Sequence, residues 1–319
     1  MKTLNVVLRR VLPSPLGRRV GEFMLLPFTE DETVVARTLQ DRIAELARPG
    51  ALRRRPVERQ ELTGPRASRY GRLVPIILES HHDVAVLRID HGKGNTLDTD
   101  SCRELVLRLE DAEQARAVVL TGTGGIFSAG VDLKRLDEGG APYVSEFLPL
   151  LSDALLAVFG CPRPVVAALN GHAVAGGAVL AAACDHRVLG PGTIGVTELL
   201  VGVPFPLAAL EILRCAYGTA PLPRLTYSGE VFGGEDALAR GLADELAAPE
   251  EVLERALGVA ARLGELPAEP FAHTKAQIRQ PFHERIAEYR HSDDPEVERL
   301  WRSPETLAAV KSYVDRMLR

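Results

Sequence analysis

The sequence predicts an α/β fold, and two observations carry that expectation. Short apolar runs of strand length, such as Ala117 to Thr121 and Val165 to Leu169, alternate with segments of helical periodicity, and each ends in a glycine-bearing turn. Past Leu207 strand signals give way to helical spacing almost throughout. A buried sheet covered by helices, followed by a helical C-terminal region, satisfies both.

The elements follow in order. Residues 1–73 form a basic N-terminal extension, with one helix on Val35, Leu39, Ile43 and Leu46, closed by Pro49-Gly50, and then a linker holding Arg53-Arg54-Arg55. The main domain runs from 74 to 319, with a core over about 74–205 and a helical region over about 206–319. It opens on a hairpin, Val74 to Leu78 and Val84 to Ile89, turning at His81-His82-Asp83. Asp100 is the expected N-cap of a helix bearing Leu105, Leu109 and Ala112. The strand Ala117 to Thr121 enters Gly122-Thr-Gly-Gly125. Helical segments at Asp132 to Leu136 and Val144 to Phe159, the strand Val165 to Leu169 and a helix from Gly176 to Cys184 come next. Further helices are expected over Leu207 to Tyr217, Glu235 to Arg240, Glu250 to Leu263 and Pro304 to Met317, the last capped by Ser303 with Pro304 at its first position.

Composition bounds the function. The chain has 319 residues, 46% hydrophobic and 25% charged, the balance of a globular protein. Its net charge of −5 advertises neither nucleic acid nor an anionic membrane. The basic residues are concentrated early, however, with 15 Lys and Arg against 8 acids in residues 1–75. Cys102, Cys161, Cys184 and Cys215 are widely spaced and form neither a disulfide framework nor a zinc pattern, so a reducing, cytoplasmic setting is the simpler expectation. No uninterrupted apolar run reaches the roughly 20 residues of a membrane span, and none is expected.

Three segments could carry chemistry. In Phe127-Ser-Ala-Gly-Val-Asp-Leu133, small residues at 128–130 allow close backbone approach, and the Val131 amide lies near a helix start, where N–H groups favour a negative oxygen. The alternative is a plain turn with Asp132 as a local cap. Asn170-Gly-His-Ala-Val-Ala-Gly-Gly177 is again strand, glycine turn, helix. Its Gly171 to Gly176 spacing mimics a phosphate loop, but Gly177 and Ala178 stand where Lys and Ser/Thr would be needed. Two amides from two such turns are what an oxyanion hole requires. In Ile194 to Pro204, Glu198 stands alone among apolar neighbours. There it would be desolvated, raised in pKa and suited to taking and returning a proton, unless it caps a helix or pairs with an arginine.

In order and spacing, Phe127 to Leu133, Pro164 to Gly171, Gly176-Gly177, Cys184-Asp185 and Glu198-Leu-Leu-Val-Gly202 resemble the crotonase (enoyl-CoA hydratase/isomerase) superfamily over roughly residues 75–319. The resemblance implies a ββα spiral with a helical C-terminal trimerisation region, hence a homotrimer or dimer of trimers. It also implies a coenzyme A thioester as ligand, with coenzyme A part of the substrate and no metal or redox cofactor. The thioester oxygen would accept from the amides of Val131 and Gly176. Substrate contacts would come from Phe127, Ala129, Gly130, Asp132, Leu133 and Gly177, with adenine near 129–133.

One departure from the family pattern matters more than the match. Hydratases of the family carry two glutamates; here the first position is Val179 and only the second, Glu198, remains. That pattern, with Ala175-Gly176-Gly177 and the segment Val203-Pro-Phe-Pro206, resembles the single-glutamate enoyl-CoA isomerases. It implies a Δ3 to Δ2 double-bond shift. A hydratase, hydrolase or decarboxylase on the same scaffold, or a non-catalytic acyl-CoA binder, are the alternatives. Among other acids, Asp137, Glu138 and Glu146 are expected in solvent and Asp185 in a structural role. His172 is expected as a hydrogen-bonded core residue, and Tyr143, Phe147 and Phe205 as acyl-pocket residues beside Phe127.

Overall fold

A computed structural model describes residues 75–317. The expected N-terminal helix, basic linker and extension to residue 73 lie outside them. The strands are β1 (Ile76–His81), β2 (Val84–Ile89), β3 (Ala117–Gly122), β4 (Ile126–Ser128), β5 (Val165–Leu169), β6 (His172–Val174), β7 (His186–Leu189), β8 (Thr193–Gly195), β9 (Phe232–Gly233) and β10 (Glu245–Leu246). The helices are α1 (Thr99–Asp111), α2 (Leu133–Phe159), α3 (Gly176–Ala182), α4 (Glu198–Val201), α5 (Leu207–Tyr217), α6 (Leu222–Ser228), α7 (Gly234–Ala239), α8 (Val252–Gly264), α9 (Ala268–Trp301) and α10 (Pro304–Met317).

The chain winds between two sheets. One has the order β1-β2-β3-β5-β7-β10 and the other β4-β6-β8-β9. Each turn of the spiral gives one strand to the first sheet, one to the second, and then a helix: β3-β4-α2, β5-β6-α3, β7-β8-α4. Within the first sheet β2, β3, β5, β7 and β10 are parallel and β1 is antiparallel. Both its faces are covered. Leu87, Leu120, Ala167 and Leu189 enter the main core, while their neighbours Val86, Val119, Val166 and Val188 pack against Val252, Ala256, Val259 and Ala260 of α8. This period-2 division explains why the strands read as continuous apolar runs.

Stacked glycines let the successive corners close. A β-carbon at Gly171 would sit 1.8 Å from the Gly125 carbonyl oxygen, and one at Gly192 only 2.5 Å from the Gly171 carbonyl carbon. Backbone packs directly on backbone there, so no side chain fits. Gly171→Ala should therefore cost about 3 kcal/mol or more by forced overpacking, read as a lower urea midpoint at unchanged m-value.

Several boundaries differ from expectation. The N-cap of α1 is Asp98, not Asp100: Asp98 has extended backbone, its carboxylate accepts from Ser101 N at 2.8 Å, and the Ser101 hydroxyl accepts in return from Asp98 N. Asp100 sits in the first turn, where its charge favours the helix dipole. The helical segments at 132–136 and 144–159 are halves of α2, broken at Gly140, whose φ of 55° and ψ of −149° are non-helical. This helix is long and apolar enough by composition to cross a membrane. Leu136, Val144, Phe147, Leu151, Leu155 and Val158 are nonetheless spent on the protein core.

Candidate active site

The three candidate segments meet because of parallel pairing in the second sheet. β4 pairs with β6, and β6 with β8, all parallel, so their C-terminal ends share one edge. Directly beyond those ends lie Gly130-Val131, Gly176 and Glu198. Side chains and amides leaving the carboxyl ends of adjacent parallel strands are the usual construction of an α/β site.

Peptide planes aim the two amides. Leu97 bridges this turn, its N–H donating to Gly130 O at 2.8 Å and its carbonyl accepting from Asp132 N at 2.9 Å. In a trans peptide the carbonyl and the following N–H point oppositely, so tying Gly130 O to Leu97 drives the Val131 N–H the other way. The carbonyl of Ala175 is likewise turned into α3, accepting from Ala178 N at 2.8 Å and Val179 N at 3.1 Å. That leaves the Gly176 N–H pointing out of the helix start. Neither the Val131 nor the Gly176 N–H has an acceptor among the described residues. They are close neighbours: a β-carbon on Gly176 would lie 3.8 Å from Val131 N, and one on Gly130 just 2.8 Å from Gly176 N.

Strain accompanies this arrangement. Ala175, the residue before Gly176, holds φ at 51° and ψ at −127° without glycine's freedom. Its N–H donates to Gly195 O at 2.9 Å, coupling the Gly176 turn to the strand that leads to Glu198. Backbone strain of this kind is kept where the surroundings over-determine it, and sites are where it accumulates.

Glu198 is the first residue of α4, which Gly202 ends in a left-handed conformation, φ 88°. It is 8% exposed, and its Oε2 is buried with no hydrogen-bond partner among the described residues. Burial pushes its pKa up to about 7, with the backbone N–H groups of Glu198 and Thr197 opposing only in part. No arginine pairs with it among the described residues. The position hydratases use for a second glutamate, Val179, is apolar and 1% exposed. The loop after Glu198 is pinned by Trp301, whose Nε1 donates to Pro204 O at 2.8 Å.

The other expected site residues divide. Ala129 is exposed beside the amides, and Val131, Asp132 and Leu133 are half-buried. Asp132 caps α2, accepting from Lys134 N and Arg135 N at 3.1 Å, so its carboxylate is engaged locally. Gly177 serves packing: a β-carbon would lie 2.1 Å from Ser128 O. Phe127 is placed away from solvent altogether, 0% exposed in the core, on a strand whose next residue, Ser128, is equally buried. Phe147 and Phe205 are also core residues, and Tyr143 stacks on Phe147 at 5.6 Å. The small apolar cavity behind the site, about 10 Å³, is lined instead by Ala178, Val196, Leu213, Tyr217 and neighbours. His172 is exposed, contrary to its expected core place, with Nδ1 3.0 Å from Thr193 Oγ1. Asp185 is structural as expected: it meets Lys275 Nζ at 2.6 Å, Arg279 Nη2 at 2.7 Å and Val165 N at 2.8 Å, fastening α9 to the sheet.

Sequence reasoning assigns no role to Asn95–Asp98, yet this segment holds the turn that carries Gly130 and Val131. Asn95 Nδ2 donates to Thr123 O at 3.0 Å and Ile126 O at 2.7 Å, and Thr96 Oγ1 to Asp132 Oδ2 at 3.3 Å. The available signal was two acids, Asp98 and Asp100, where one helix start needs a single cap.

Fold and site together define a class: a ββα spiral presenting two free amides and one desolvated carboxylate. The family model for enoyl-CoA hydratase/isomerase matches residues 79–317, and the chain belongs to that family of enzymes. A protein of Mycobacterium avium (strain 104) named "Probable enoyl-CoA hydratase echA17" is 34% identical over 204 residues, spanning 62% of this chain and 79% of that one. The mitochondrial enoyl-CoA delta isomerase 1 of Rattus norvegicus is 28% identical over 222 residues, 67% of this chain and 77% of the relative. The crystal structure of human mitochondrial delta3-delta2-enoyl-CoA isomerase superposes with a TM-score of 0.73 at 25% identity, over 76% of this chain and 98% of that one.

Proposed function

We propose that this enzyme shifts the double bond of a 3-enoyl-CoA to the 2-position, with Glu198 as the one proton carrier. The observation that carries the reading is the buried Glu198 carboxylate with an unpartnered oxygen, while the position of a second glutamate holds the apolar, buried Val179. The Glu198 carboxylate takes a proton from C2, and the electron pair moves through the thioester to its oxygen. The Val131 and Gly176 N–H groups stabilise that dienolate oxygen. The carboxyl then returns its proton to C4, giving the conjugated thioester. No net electron transfer occurs, so no redox group is required, and coenzyme A enters as part of the substrate.

Hydration asks for more: a base to activate water and an acid to protonate carbon. With Val179 in place of a second carboxylate, the described site supplies one such group. The same reading includes a homotrimer or dimer of trimers built on the C-terminal helices, supported by the exposed Ile278 and Tyr289 of α9.

Incubating the full chain with trans-3-hexenoyl-CoA tests the proposal. Conjugated product should form, with kcat/KM rising tenfold per pH unit below about 7 and levelling above it as Glu198 ionises. Absence of product, or a rate indifferent to pH between 5 and 8, would remove the proposal's basis.

A further inference from the structure

We propose that Asp98 is a positioning residue for the oxyanion hole, holding through His91 and Arg135 the strap whose Leu97 peptide aims the Val131 N–H; the inference rests on the oxyanion-hole reading above. Asp98 is 0% exposed, yet its carboxylate accepts from His91 Nε2 at 2.6 Å, Arg135 Nη1 at 3.0 Å and Ser101 N at 2.8 Å. A helix cap alone needs only the last of these. The other two tie Asp98 to separate elements: His91 to the loop after β2, and Arg135 to the first turn of α2, whose cap Asp132 begins the helix beyond Val131.

Asp98 thus joins both ends of the turn it serves. Its neighbour Leu97 grips Gly130 O and Asp132 N, the two backbone groups flanking the Val131 peptide. Arg135 N donates to Asp132 Oδ1 while its guanidinium reaches Asp98, closing a ring from strap to helix and back to the turn. Arg135 Nη1 also meets Asp100 Oδ2 at 3.0 Å. Burial pushes the Asp98 carboxyl up, but the hydrogen bonds from His91 and the Ser101 N–H, with the charges of His91 and Arg135, bring it down to about 2, which leaves it ionised at neutral pH. An ion held at three points in a buried site resists displacement better than a neutral cap. A hole donor must also stay within a few tenths of an ångström of the developing oxyanion.

Asparagine separates the two roles. It caps helices as well as aspartate does, so Asp98→Asn keeps the Ser101 bond, but it turns an N–H₂ toward the Arg135 guanidinium. Asp98→Asn and Arg135→Gln would be measured for kcat, KM, melting temperature and the infrared carbonyl stretch of bound hexanoyl-CoA carrying ¹³C at the thioester. The expected result for Asp98→Asn is a kcat lower by about 10- to 100-fold, KM within about threefold, and part of the carbonyl red shift lost, since a full donor deletion costs about 10² to 10³. Arg135→Gln should move the same readings less, with Arg135→Lys restoring part of the loss. Unchanged kcat and carbonyl stretch in both variants would overturn the proposal. So would a lowered melting temperature in Asp98→Asn with a normal carbonyl shift in the surviving folded protein. If the wild type itself binds hexanoyl-CoA with no carbonyl shift, the oxyanion-hole reading fails first, and the two failures are thereby told apart.

Discussion

Glu198→Gln should reduce isomerisation by about 10⁴-fold while leaving acyl-CoA affinity within a few-fold, because it removes the sole proton carrier and little else. Stability should move the opposite way. The folded-state pKa of about 7 lies above the ordinary glutamate value of 4.5, so the folded protein binds the extra proton. Stability associated with Glu198 is therefore fully present below about pH 4.5 and is lost as pH rises through about 7. Glutamine carries no such dependence. Glu198→Gln should be more stable than wild type by about 3 kcal/mol at pH 8, from a 2.5-unit shift, and indistinguishable from it near pH 4.5. Urea denaturation at the two pH values reads the difference. A variant that is inactive and equally destabilised at both would mean that Glu198 is a structural residue.

Gly130→Ala should be nearly as damaging to turnover, by a different route. Gly130 holds φ at 82°, and a β-carbon there would sit 2.8 Å from Gly176 N and 2.9 Å from Val174 O. Relief requires the two turns to separate, which pulls apart the Val131 and Gly176 amides proposed to hold the enolate oxygen. A kcat loss of about 10² to 10³ is expected, the cost of one oxyanion donor. Gly124→Ala makes the comparison fair: it too has positive φ, 63°, but meets nothing within 4 Å. Its strain should cost about 1 kcal/mol of stability and leave kcat alone. Equal kcat losses in both would mean that backbone strain, and not the pairing of amides, governs the rate.

The sequence was most readable where a single physical cause dominated. β5, α5 and α10 have the expected bounds, because a strand buried on both faces and strongly periodic helices leave clear patterns. α9 did not stand out. Its 34 residues include Pro281 and Pro295 and few apolar side chains, and its docking relies on the buried cations Lys275 and Arg279 meeting Asp185. Charge pairing across 90 or more residues leaves no periodic trace. β6 and β8, three residues each, are equally invisible locally, yet their parallel pairing brings Gly176 and Glu198 to one edge. The amides of Val131 and Gly176 were legible as glycine turns, but their direction depends on Leu97, which no motif marks, and on the positive φ of Ala175, which the sequence pattern does not reveal. Phe127 shows the converse: part of a recognisable motif, it packs the core beneath the turn.

One desolvated carboxylate, with Val179 in place of a second, is what the proposed isomerase activity rests on, and a comparison of two substrates tests it most directly. Purified protein would be given trans-3-hexenoyl-CoA and trans-2-hexenoyl-CoA separately, and kcat/KM measured for conjugation of the first and hydration of the second. Conjugation should be faster than hydration by about 10² or more, the contribution expected of a missing general acid–base partner. Hydration as fast as conjugation would contradict it, showing that a second proton-transfer group reaches the site from elsewhere.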